Sequence, residues 1–107
     1  MLAEEIKEKI RSQLGEQIEF EGHFDKVVNT MEKNIQQHLL EWVKKCHDRE
    51  IDPEPSPVDT SLLAFFFKPK VNNIRGILTK RKNSYFIALF VDKHKYYDSE
   101  RRNLGFR

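Results

Sequence analysis

The run Asp92-Lys-His-Lys-Tyr-Tyr-Asp98 gathers the side chain types that phosphodiester chemistry on RNA requires. His94, with an unperturbed pKa near ~6.5, exchanges a proton at neutral pH. Tyr96 and Tyr97 can stack on bases or transfer a phenolic proton, and Lys93 and Lys95 can stabilise phosphate charge. If these groups converge in a cleft, His94 or Tyr97 can shuttle protons at a 2′-hydroxyl and phosphodiester, which is equipment for cleaving RNA without a metal. Without convergence the same run is a surface histidine beside the rim of a core. The catalytic reading therefore depends on placement.

A second cluster, Lys80-Arg81-Lys82, occupies a polar connection of hairpin length ending in Asn83-Ser84, with Asn83 suited to a positive φ. Arg75 precedes it, and Lys68, Lys70, Arg101 and Arg102 lie in the same half of the chain. Residues 1–67 carry 8 Lys/Arg against 14 Asp/Glu, net −6, whereas residues 68–107 carry 11 against 3, net +8. The overall charge of +2 thus conceals a basic module. Cations on a folded sheet form a shaped anion-binding surface, so Arg75, Lys80, Arg81, Lys82, Lys93, Lys95 and Tyr96 are the candidate nucleic-acid contacts. RNA, the ribosome or another polyanion is the expected partner.

Other chemistries find less support. His23, His38 and the Cys46-His47 pair are scattered, and the eight residues from His38 to Cys46 span about 12 Å along a helix at ~1.5 Å per residue, too far for a shared metal. No Gly-rich phosphate loop, Gly-x-Ser-x-Gly elbow or Cys-x-x-Cys pair occurs, and the chain has only four glycines, so neither a metal nor a cofactor is expected. A lone cysteine fits a reducing cytoplasm. No basic segment followed by an apolar run marks export, and no apolar stretch is long enough to span a membrane, so no membrane partner is expected.

The elements that must position these groups follow from periodicity. At 107 residues, with 38% apolar and 34% charged residues, the chain has the size and mixture of one domain. Leu2, Ile6, Ile10 and Leu14 predict an amphipathic helix stopped at Gly15. Gln17–Glu21 alternates as a short edge strand with Glu19 and Glu21 toward water. From His23 to Arg49, Phe24, Val27, Val28, Met31, Ile35, Leu39, Trp42, Val43 and Cys46 hold helical spacing, which predicts one long helix. Three prolines between residues 50 and 60 forbid helix and predict an extended connector or solvated loop. Leu62–Phe67, Asn73–Lys80 and Tyr85–Val91 read as antiparallel strands covered on both sides.

The expectation is therefore a single α+β domain: an N-terminal helix (1–15), a short strand and long helix (16–49), a Pro-rich linker (50–60) and a basic antiparallel sheet (61–98). One helix cannot hide both faces of that sheet. The leftover face needs the first helix, the tail or another subunit, and self-association through it is one expectation.

This order of elements, with Arg75 on the penultimate strand, Lys80 to Lys82 at the turn and His94-Lys-Tyr-Tyr97 at the end of the last strand, resembles the RelE/ParE superfamily of bacterial toxins. In that family a small sheet packs against helices and presents basic residues in a groove. RelE-type members cut messenger RNA on the ribosome with basic side chains and a histidine or tyrosine near the C-terminus. The resemblance spans residues 17–98 and implies a toxin-antitoxin endoribonuclease, with an antitoxin as partner. The helix at 1–14 is extra, and the family has two helices where this periodicity predicts one. The residues also accommodate a non-catalytic α+β module that binds nucleic acid or a protein through its basic sheet edge.

Overall fold

A computed structural model describes residues 1–69, 73–91 and 94–106. The fold is α+β. The elements run α1 (Ala3–Leu14), β1 (Ile18–Phe20), α2 (Phe24–Thr30), α3 (Lys33–His47), β2 (Glu54–Pro55), β3 (Leu62–Phe67), β4 (Ile74–Arg81), β5 (Ser84–Val91) and α4 (His94–Asn103).

The first helix forms as its period dictates: Ala3, Ile6, Ile10 and Leu14 are all buried, and Glu4 and Glu5 in the first turn complement the helix dipole. Gly15 ends it with φ +95°, its N–H donating to the Arg11 carbonyl at 2.8 Å.

The expected long helix is instead two. Met31 is extended (φ −75°, ψ 139°) and Glu32 caps α3, so the chain turns between Thr30 and Lys33. The competing hydrogen bonds explain the break. Thr30 Oγ1 donates to the Val27 carbonyl at 2.7 Å, and the buried Gln36 donates through Nε2 to the Val28 carbonyl at 3.1 Å and to the Met1 carbonyl at 3.0 Å. Two of these bonds occupy the Val27 and Val28 carbonyls, which a continuous helix would offer to the amides of Met31 and Glu32; the Met31 N–H turns to the Val28 carbonyl instead, at 3.0 Å. Met31 remains buried through the turn, so the apolar spacing runs on unbroken although the helix does not.

The sheet has the order β1-β5-β4-β3-β2. β1 is parallel to β5 and the other pairs are antiparallel, so the sheet is mixed. The Pro-rich segment contributes β2, with Glu54 opposite Ala64 and Pro55 opposite Leu63. Proline is tolerated there because β2 is an edge strand. In the β4–β5 hairpin Arg81 faces Ser84 across a two-residue turn, and Lys82 takes the positive φ (55°) expected of Asn83.

Register assigns the two faces. Phe65, Leu78, Ile87 and Phe20 align on one face, followed by Phe67, Gly76 and Leu89. Their buried members join Ile6, Phe24, Val28, Leu39, Trp42 and Val43 in a core beneath α1, α2 and α3. Trp42 packs on Phe67 with ring centroids 5.1 Å apart. Gly76 is required by this contact layer: a Cβ there would meet Leu89 Cδ2 at 2.9 Å and Phe67 Cβ at 3.1 Å.

The opposite face carries Ala64, Phe66, Arg75, Ile77, Thr79, Ala88 and Phe90. The tail covers it. Within α4, Tyr97 sits edge-on to Phe66 (6.4 Å) and at 6.1 Å from Phe90, and Phe106 beyond the helix sits edge-on to Phe66 at 5.4 Å. Ser56 Oγ donates to the Leu104 carbonyl at 2.5 Å, tying the linker to the end of α4. Of the three covers expected for the leftover sheet face, the first helix, the tail or another subunit, it is the tail that packs on it. No helix among the described residues is long and apolar enough to cross a membrane.

Candidate nucleic-acid interface and catalytic cluster

The basic hairpin and the His/Tyr run occupy opposite ends of the sheet. From Tyr85 at the hairpin to Val91 before α4, β5 advances about 20 Å at ~3.3 Å per residue. At the hairpin, strand alternation sends neighbouring cations to opposite faces. Lys80 shares the row of Leu63, Tyr85 and Ile18, its ammonium 5.4 Å from the Tyr85 ring centroid. Arg81 lies on the other face, where Nη2 bonds to Asp59 Oδ2 at 2.5 Å. Asp59 also accepts from the Ser61 hydroxyl at 2.6 Å and the Ser61 amide at 3.1 Å. Those bonds to Ser61, ahead of the attraction of Arg81, hold its carboxyl below the usual range. Lys82 is exposed at the tip. A cavity of about 550 Å³ opens beside Arg81, and Glu16 and Glu19 line it too, so the acidic half of the chain folds back against part of the basic half.

At the other end the expected strand end is the start of a helix. Lys93 and the side chains of His94 and Lys95 lie outside the described residues; His94 is the first residue of α4, one turn before Tyr97. Tyr96 is 56% exposed, whereas Tyr97 is 3% exposed and belongs to the core beneath α4. Tyr97 was expected at a strand end outside any core stripe. Helical periodicity corrects this, because two adjacent residues on a helix face different directions and only one of the pair can face the sheet.

Arg75 and Tyr97 are brought together. Arg75 lies opposite Phe90 in the β4–β5 ladder, on the face that α4 covers, and Nη1 donates to the Ile74 carbonyl at 2.9 Å. Arg101, one turn beyond Tyr97, places its guanidinium 5.8 Å from the Tyr97 ring centroid and 5.5 Å from that of Phe66. Burial raises the Tyr97 phenol above its ordinary pKa, against the opposing pull of Arg101 and then Arg75. The phenol is consequently neutral at physiological pH and can donate a proton. Its hydroxyl has no hydrogen-bond partner among the described residues. A buried hydroxyl left in that state costs about 1–3 kcal/mol, which a bound acceptor would relieve.

Lys80 to Lys82 do not join this cluster; the strand separates Lys80 from Arg75 by roughly 17 Å. Arg101, in contrast, was read only as one of the general cations. Its spacing of four from Tyr97 would have marked it once a helix was recognised there. No group of His, Cys, Asp and Glu able to hold a metal occurs among the described residues.

Comparison with protein-family models, with curated proteins and with solved structures gives no match to any of them.

Proposed function

We propose that the chain is a RelE-like endoribonuclease that cuts messenger RNA on the ribosome, acting as the toxin of a toxin-antitoxin pair. The observation that carries this reading is the phenol of Tyr97, buried without a hydrogen-bond partner among the described residues, with the Arg101 guanidinium 5.8 Å from its ring and Arg75 on the same face of the sheet. A neutral phenol within the electrostatic reach of two arginines suits an anionic substrate. Arginine neutralises the charge that builds on a phosphodiester during in-line attack, and the phenol can protonate the departing 5′-oxygen. His94, one turn earlier on α4, is the proposed acceptor of the 2′-hydroxyl proton.

Element order lends further support. The helical segment divides into α2 and α3, two helices where the resembling family has two. Tyr97 is buried, so the reading requires it to become accessible when substrate binds. That requirement fits an enzyme whose substrate is delivered in a fixed geometry by a large particle.

The test is cleavage of ribosome-bound messenger by the purified protein, with Tyr97→Phe and Arg75→Ala as the informative variants. A non-catalytic module that binds RNA through the exposed Lys82 and its neighbour Lys80 is the second reading, and the placing of that hairpin tip at the far end of the sheet from Tyr97 is what favours it. Protein that binds RNA and leaves ribosome-bound messenger intact selects that module.

A further inference from the structure

A groove of about 600 Å³ lies outside the Arg75–Tyr97 cluster, walled by α2 and α4 and floored by the end of β5. It exists because β1 is short. β1 pairs only with Tyr85, Phe86 and Ile87, and the chain then turns up into α2, so no strand continues alongside Leu89, Phe90 and Val91. The floor is accordingly apolar, with Val27 of α2 beside it, while Lys26 and the exposed Tyr96 stand on facing walls.

At the mouth, Glu21 and His23 form an oriented pair. Glu21 Oε1 accepts from the His23 backbone N–H at 3.0 Å and from His23 Nδ1 at 2.6 Å. A carboxylate can only accept, so the bond places the imidazole hydrogen on Nδ1 and leaves Nε2 of neutral His23 as an acceptor. The His23 side chain is 75% exposed, so this acceptor is accessible. Glu100 of α4 also lines the groove and Glu21 is held by His23; the apolar slot, the exposed aromatic ring, the lysine and the fixed imidazole acceptor together match one nucleotide whose sugar bears a hydroxyl.

We propose that the groove between α2 and α4 seats one unstacked nucleotide of single-stranded RNA. Tyr96 stacks on the base, Lys26 faces the phosphate, and His23 Nε2 accepts a hydrogen bond from the ribose 2′-hydroxyl. The 2′-hydroxyl is the group by which a protein tells RNA from DNA, and stacking on an aromatic ring tolerates any base. The seat rests on the reading of RNA as the substrate. It adds how the strand is held on the outer side of α4 while Tyr97 lies on the inner side; Phe90 lines the groove and also touches Tyr97.

The experiment measures fluorescence anisotropy of the full chain with a labelled single-stranded RNA and with DNA of the same sequence, without ribosomes. RNA is expected to bind several-fold tighter than DNA. His23→Ala should erase that difference, and Tyr96→Ala should weaken both ligands roughly tenfold, the effect of losing one stacked base. Both side chains are exposed, and circular dichroism checks that the fold is kept. Equal affinity for RNA and DNA in the wild type, or wild-type binding by both variants, overturns the seat. If Tyr97→Phe loses cleavage while His23→Ala and Tyr96→Ala bind as wild type, the seat fails and the nuclease stands. If the binding pattern appears without any cleavage, the seat stands and the nuclease fails.

Discussion

Asp59 neutralises Arg81: the linker carboxylate receives the guanidinium at 2.5 Å and is itself fixed by the hydroxyl and amide of Ser61. One of the three hairpin cations is therefore engaged by the Pro-rich linker. An exposed pair of this kind contributes little to stability, but it subtracts a charge from the surface offered to a polyanion.

Asp59→Asn should therefore strengthen RNA binding. With Arg81 released to a phosphate, the slope of log affinity against log salt should steepen by about 0.7 for single-stranded RNA, and the melting temperature should change little. Filter binding over a salt series measures it. An unchanged slope would mean that Arg81 does not face the nucleic acid.

Trp42 of α3, 6% exposed, packs on Phe67 of β3, beside the edge-on His38 ring. Trp42→Ala should destabilise the fold by about 3–5 kcal/mol in urea unfolding, since it opens a cavity that the helix cannot refill. A loss within ~0.5 kcal/mol, the range of surface substitutions, would contradict the packing described.

Two buried acids set the alkaline limit. Burial pushes the Cys46 thiol up to about 12 from 9.0, and burial first among several causes raises Tyr97 above 10.0. In both, the folded state holds its proton at a pH where the unfolded chain has lost it. Their contribution is fully present below pH 9 and is lost as pH rises from there through the folded-state values. Stability should fall between about pH 9 and 12, and Cys46→Ala with Tyr97→Phe should flatten that fall in denaturation series. An equally steep fall in the double variant would contradict the assignment. Cys46 should also resist alkylation in the native state at neutral pH, because the thiolate is the reactive form.

Much of the architecture was legible where periodicity and burial coincide. Ile6 to Leu14, the apolar stripe from Phe24 to Cys46 and the runs around Phe65, Leu78 and Ile87 all report contacts made on one predictable face, whereas Leu2, expected on the first stripe, is exposed at the N-cap of α1. The break at Met31 was hidden because its cause is long-range: Gln36 binds the Val28 carbonyl and the chain terminus, and the stripe continues across the turn. α4 was hidden for another reason. His94–Asn103 is strongly polar, and the sheet face it covers is met mainly by Tyr97 and by Phe106 beyond the helix, too few apolar positions to announce a period. Arg75 and Tyr97 are each singled out by the sequence among several candidates, and the fold brings them to one face of the sheet. Arg101 and the Glu21–His23 pair are not singled out, because each gains its partner only when a helix or turn forms.

The most direct measurement of the central claim is primer extension on messenger bound to ribosomes, after incubation with wild-type protein, Tyr97→Phe and Arg75→Ala. Wild type should generate cleavage products on ribosome-bound messenger. Tyr97→Phe, which keeps the ring against Phe66 and Phe90 and removes only the hydroxyl, should cut about 10²–10⁴-fold more slowly with its fold intact, the usual yield of a general acid. Arg75→Ala should fall comparably. Messenger left uncut by the wild type, or cut at the wild-type rate by Tyr97→Phe, would contradict the account.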